Sequence, residues 1–198
     1  MYTTGLTGPS RRTFSSGLRS LARPLMGDVS LHLRMPLDKE SPVASTPTPR
    51  HFVPNEGNTY KLGRMTLTFK TTAADNAGAY TLLDATEPPG SGAGRHRHAT
   101  YDETYIINDG HYEFQVGDQM LKIGPGEVVF VPRGTPHAFK SIGPEIGRQL
   151  VISSPGGIFD AFISEVANST GQASTSPNPG PATDFRAIAA KYGIEFLE

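Results

Sequence analysis

The chain of 198 residues carries 18 Lys+Arg against 19 Asp+Glu, a net charge of −1 that excludes the basic excess of a dedicated nucleic-acid or membrane-surface binder. It has no cysteine, so disulfides, thiolate metal sites and cysteine nucleophiles are excluded too. With 22 Gly, 17 Pro, 36% hydrophobic residues and no apolar run near the roughly 18 residues of a membrane span, the composition describes a turn-rich, all-β domain with tails, partnered by neither nucleic acid nor membrane.

Residues 1–51 read as a poorly ordered arm. Ser10 to Met26 contains Arg11, Arg12, Arg19 and Arg23, with no acid before Asp28. Organellar transit peptides have that Arg-rich, Ser-rich, acid-poor composition. Ser10-Arg11-Arg12-Thr13-Phe14 also looks like the opening of a twin-arginine export signal, but Arg19 and Arg23 break the apolar stretch such a signal needs. A disordered basic arm on a cytoplasmic protein, or an over-long start, is the preferred reading. The arm ends in Ser41-Pro42-Val43-Ala44-Ser45-Thr46-Pro47-Thr48-Pro49, which is linker composition.

Residues 52–155 change texture to short apolar runs separated by turn residues. Strands are predicted over Tyr60–Leu62, Met65–Phe69, Tyr80–Leu83, Thr104–Ile107 and His111–Val116. Others follow over Gln119–Ile123, Val128–Val131, Ala138–Ile142 and Arg148–Ile152. Gly117-Asp118 suits a two-residue hairpin turn, and Gly124-Pro125-Gly126 and Pro132-Arg133-Gly134 mark further reversals. About nine short strands at this spacing make a sandwich or barrel. Residues 156–198 form a helical extension. Phe159, Phe162, Ile163 and Val166 make an apolar stripe of helical period. After a Ser/Thr/Pro/Gly loop from Ser169 to Pro181, Thr183 or Asp184 caps a short helix over Phe185, Ile188 and Ala189 that stops at Gly193. These helices pack on the sandwich or on a partner subunit.

Three of the six histidines carry the chemistry. On a strand, His96 and His98 point to one face about 6–7 Å apart and offer a pair of metal ligands. Glu103 follows as a candidate carboxylate ligand, and His137 can return on a neighbouring strand as a third imidazole. Three imidazoles and one carboxylate suit one divalent transition metal (Fe, Mn, Ni, Co or Zn) better than Mg or Ca, and leave open positions for a substrate and a second small molecule. Alternate polar positions on an exposed face would give the His96/His98 pattern as well. His32, His51 and His111 read as ordinary surface or satisfied core residues, Arg133 as a solvated turn charge, and Asn168-Ser169-Thr170 as a glycosylation acceptor only in a secreted eukaryotic chain. Alternation places Tyr105 and Ile107 on the face of Glu103, and Phe139 and Ser141 on that of His137. These four either line a substrate pocket or pack the core.

The pattern Gly90-x5-His96-x-His98-x4-Glu103-x6-Gly110 resembles the first motif of the cupin superfamily, and Gly126-x5-Pro132-x-Gly134-x2-His137 resembles the second. Where the family continues with an Asn, this chain has Ser141. The resemblance implies a small jelly-roll β-barrel, commonly dimeric, with the metal inside on His96, His98, Glu103 and His137. Ser153-Ser154-Pro155-Gly156-Gly157 before the Phe159 helix makes the chain most similar to quercetin 2,3-dioxygenase-like cupins. The expected function is therefore that of a metal-dependent dioxygenase, an oxidoreductase acting on a small enolizable or phenolic substrate with O₂, in which Glu103 both ligates and accepts a substrate proton. The alternatives are a redox-neutral isomerase, cyclase or decarboxylase in the same pocket, or a non-catalytic small-molecule-binding cupin. A homodimer is expected from the exposed strand edges of such a barrel.

Overall fold

The structure, a computed structural model, describes residues 47–169 and 185–198. The basic arm with its targeting signals, most of the Ser169–Pro181 loop and the Thr183/Asp184 cap lie outside these residues. The strands are β1 (Asn58–Leu62), β2 (Met65–Thr71), β3 (Thr81–Glu87), β4 (Gly92–His98), β5 (Asp102–Asp109) and β6 (His111–Val116). They continue as β7 (Gln119–Ile123), β8 (Val128–Val131), β9 (His137–Ile142), β10 (Gly147–Ser154) and β11 (Ile194–Phe196). Helices α1 (Ile158–Ser169) and α2 (Phe185–Lys191) fall between β10 and β11.

The strands form two antiparallel sheets, one of six strands in the order β1-β2-β3-β10-β5-β8 and one of five in the order β11-β4-β9-β6-β7. Their alternation is legible in the burial of β5, where Glu103, Tyr105 and Ile107 are buried between half-exposed neighbours, and of β10, where Gly147, Gln149, Val151 and Ser153 are. Each sheet therefore has an inward face set by the two-residue side-chain period. The β6–β7 hairpin turns at Gly117-Asp118, with Val116 paired to Gln119 and Gly117 at φ +58°, the left-handed region a tight hairpin turn requires.

Aromatic side chains fill the middle of the barrel. Phe114, fully buried, stacks on Phe139 at 5.3 Å and meets Tyr105 edge-on at 5.1 Å. Burial of each such ring contributes about 1.5–3 kcal/mol.

The sequence reading differs from the structure at two strands. Gly92–His98 is absent from the nine predicted runs because Gly92-Ala93-Gly94-Arg95-His96-Arg97-His98 holds no β-branched or aromatic residue, yet β9 and β11 on either side organise it as β4. Ile194–Phe196 is too short to announce itself, and it closes the second sheet by pairing Ile194 with His98 and Phe196 with His96. The C-terminal segment therefore returns into the barrel. The helical stripe behaves as expected: Phe162, Ile163 and Val166 are buried, and Phe162 meets Phe185 of α2 at 5.7 Å. No helix among the described residues is long and apolar enough to cross a membrane.

Candidate metal centre

Strand register brings four donors together. On β4, His96 lies opposite His137 of β9, and His98 shares its face two residues on. From the other sheet, Glu103 of β5 lies opposite Val131 of β8 and Ser153 of β10 and points inward. One ligand atom from each of His96, His98, Glu103 and His137 lies within 4.8 Å of the others, and all four residues are buried. Such an arrangement can hold a metal ion.

The hydrogen bonds around the group fit a metal. His96 Nδ1 lies 2.7 Å from the Gly94 carbonyl and His137 Nδ1 lies 3.0 Å from that of Thr135. A carbonyl only accepts, so both rings donate from Nδ1 and turn Nε2 to the centre, the orientation of metal-bound imidazoles, with His137 Nε2 3.2 Å from Glu103 Oε2. His98 Nε2 stands 3.0 Å from Glu103 Oε2 off hydrogen-bond alignment, and neither ring nitrogen of His98 has a hydrogen-bond partner. A buried imidazole with no partner pays its desolvation uncompensated, which a metal at Nε2 would offset.

Electrostatics keep the donors in their ligating forms. Burial, with the neighbouring His137, lowers the His96 imidazole to about 4, so that ring is neutral at physiological pH. Burial pushes the Glu103 carboxyl up, but the neighbouring His98 and His137 imidazoles outweigh it and hold the group ionised, well below the usual carboxylate range. Tyr105 donates its hydroxyl to Glu103 Oε2 and sits 3.3 Å from His137 Nε2. Burial and the Glu103 charge raise the Tyr105 phenol, so it stays a donor. Ser153 Oγ adds a longer contact to Glu103 Oε1 at 3.4 Å.

The cage opens on a cavity of about 320 Å³ between the sheets. His96, His98, Glu103 and Tyr105 form one end. Met65, Leu67, Leu83, Ala85, Val151 and Phe139 make an apolar wall, and Phe159, Phe162, Phe185, Ile194 and Phe196 close it from the C-terminal segment. Phe196 also stacks on His96, with ring centroids 5.5 Å apart.

Residues 84–153, which hold all four donors, match the family model described as Cupin domain. That stretch of the barrel is similar to a cupin domain. Its fold is similar to that of KdgF from Halomonas sp., at 15% identity and a TM-score of 0.50 over 56% of this chain and 96% of that one. An uncharacterized protein of Methanocaldococcus jannaschii is 30% identical over 63 residues, 32% of this chain. The match spans 50% of that protein, so the chain covers about half the length of this curated relative.

Within residues 84–153 the structure gathers His96, His98, Glu103 and His137, together with Tyr105 and Phe139 at the cavity wall. It places the other two pocket candidates elsewhere. Ile107 and Ser141 are buried one strand level further from the cage and do not line the cavity; Ser141 binds backbone to backbone with Gly90 and Ser91. Arg133 is half-exposed and clamps Asp102 with two side-chain hydrogen bonds, of 2.8 and 3.0 Å. That clamp, helped by the Arg133 backbone, holds the Asp102 carboxyl down to about 2. His51 and His111 are exposed, and His32 lies outside the described residues. Sequence reasoning missed the β2, β3 and C-terminal contributors. In β3 the signal was present: Leu83, Ala85 and Glu87 alternate inward like the residues of β5, and Glu87 breaks an otherwise apolar row.

Proposed function

We propose that this cupin domain is a metal-dependent oxygenase of the quercetinase-like type, acting on a small enolizable or phenolic organic substrate, with one divalent transition metal held by His96, His98, Glu103 and His137. The observation that supports it most is the convergence of four buried donors, His98 without hydrogen-bond partners among them, at the end of an aromatic-lined cavity. When bound there, a transition metal supplies positive charge that stabilises a substrate oxyanion, and redox chemistry toward O₂.

The chain's own residues do the rest. Glu103, ionised and buried, is the proton acceptor for a substrate hydroxyl brought to the cage end of the cavity. The Tyr105 hydroxyl, donating to Glu103 Oε2, fixes the rotamer of that carboxylate. Phe139, Val151 and Leu83 exclude water and present a flat apolar face to a planar substrate. The same reading takes the chain as a homodimer. Edge strand β8 carries exposed Val128 and Phe130, apolar side chains beside unpaired strand backbone.

The test is metal content of protein purified without chelator, followed by oxygen uptake with an enolizable aromatic substrate on the Fe, Mn, Co and Ni forms. About one metal per chain and O₂ consumed with substrate are expected. Equal turnover under nitrogen would overturn the oxygenase and leave a redox-neutral isomerase, cyclase or decarboxylase.

A further inference from the structure

A second polar group lies on the wall of the same cavity, away from the cage. Glu87 ends β3, is 1% exposed and lines the cavity. It accepts hydrogen bonds from the Tyr112 hydroxyl of β6 and, at 2.8 Å, from Gln149 Nε2 of β10, so it ties the two sheets together. The arrangement is built into the backbone. Gly147 lies opposite Glu87 in register, and a Cβ there would run into the Tyr112 hydroxyl. Its polar capacity is not exhausted. Gln149 Oε1 and Ser141 Oγ are buried without hydrogen-bond partners, and each Glu87 oxygen, with a single donor, keeps acceptor capacity.

Register sets the separation of the two ends. On β10, Ser153 lies at the level of Glu103, and Gln149 is four residues along the strand. At about 3.3 Å per residue this is roughly 13 Å. The intervening wall is apolar, and an acid in such a wall is costly unless something uses it. Burial pushes the Glu87 carboxyl up to about 7 against its two hydrogen bonds, the direction that cost dictates.

We infer that Glu87, backed by Tyr112 and Gln149, is a second substrate-binding pole: the cavity takes an elongated aromatic molecule whose oxygen-bearing end lies at the His/Glu cage and whose far end presents a hydroxyl to the Glu87 carboxyl. This rests on the reading of the cavity as a substrate pocket. It adds a specificity determinant that acts by hydrogen bonding and is independent of the metal. A single-ring probe is too short to span the two ends and reads the Glu87 pole alone.

The experiment compares p-cresol with p-xylene, which differ by a hydroxyl in place of a methyl, by calorimetric titration of wild type, E87M and E87Q, each metal-loaded and metal-free. At pH 8, where the Glu87 carboxyl is ionised, wild type is expected to prefer p-cresol about tenfold, the size of one hydrogen bond to a charged group. E87M loses that preference while binding p-xylene at least as well and keeping its metal content. E87Q has the same shape without the charge; it weakens the preference several-fold and carries the test if E87M does not fold. A purely structural role for Glu87 would leave the preference unchanged in both variants and overturns the inference, as does a wild type that binds neither probe. Failure of wild type to take up any metal refutes the oxygenase instead, and the preference of the metal-free protein still decides the role of Glu87.

Discussion

Replacing Glu87 by Gln should change how stability depends on pH. The carboxyl sits at about 7 in the folded chain against 4.5 when unburied, because burial outweighs the hydrogen bonds from Tyr112 and Gln149. The raised value fixes the sign. The folded state retains a proton that the unfolded state has released, so Glu87's contribution is fully present below about 4.5 and is lost as pH rises to about 7. At about 1.36 kcal/mol per pH unit, that window amounts to about 3 kcal/mol. E87Q imitates the protonated acid at every pH, so any constant packing difference cancels. The stability of E87Q relative to wild type should rise by about 2–3 kcal/mol from about pH 5 to about pH 8 and then level off. Urea unfolding in the presence of a chelator keeps metal binding out of the comparison, and all other titrating groups are common to both proteins. Parallel stability curves across that range would refute the reasoning: Tyr112 and Gln149 would then be solvating an ionised carboxylate as well as water does.

Three further outcomes follow from the same geometry. H137A and E103Q each remove one of four converging donors and should lower metal affinity by more than about 100-fold. Both should also abolish the rise in melting temperature that added metal gives wild type; elemental analysis and thermal melts check this, and full metal retention in both would disprove the cage. F114A removes a fully buried ring packed on Tyr105, Tyr112 and Phe139 and should cost about 3–5 kcal/mol in denaturant unfolding, with a loss under about 1 kcal/mol counting against the packing described. V128K/F130K places two charges on the exposed β8 edge and should convert a dimer to a monomer in light scattering without changing metal content; a dimer that survives it uses another surface.

What the sequence made legible followed short-range rules. Two-residue alternation exposed the inward rows of β5 and β9, and spacing placed His96 and His98 on one face. What it hid depended on partners distant along the chain. Ile107 and Ser141 share faces with Glu103 and His137 and are buried as alternation requires, but period-two reasoning has no information about depth along the strand. Neither residue lines the cavity, so facing inward was not enough.

The C-terminal segment shows the other limit, and it bears on the site. A three-residue strand has almost no signal of its own, and β11 exists because β4 offers an open edge to Ile194, Glu195 and Phe196. That pairing lays Phe196 on His96 and sets Ile194 and Phe185 into the cavity wall. The helical stripe of α1 is read locally as a packing face, and Phe159 and Phe162 do pack, but the space they close is the cavity that contains the cage. The four converging donors come from the central motifs, whereas the closure of the cavity comes from Phe159 to Phe196 in the C-terminal segment. The wall of the cavity in this chain therefore depends on its tail as much as on its motifs. Glu87 belongs to the same category: a single acid in an apolar row reads as noise in one strand, and becomes a site only when β6 and β10 bring Tyr112 and Gln149 to it.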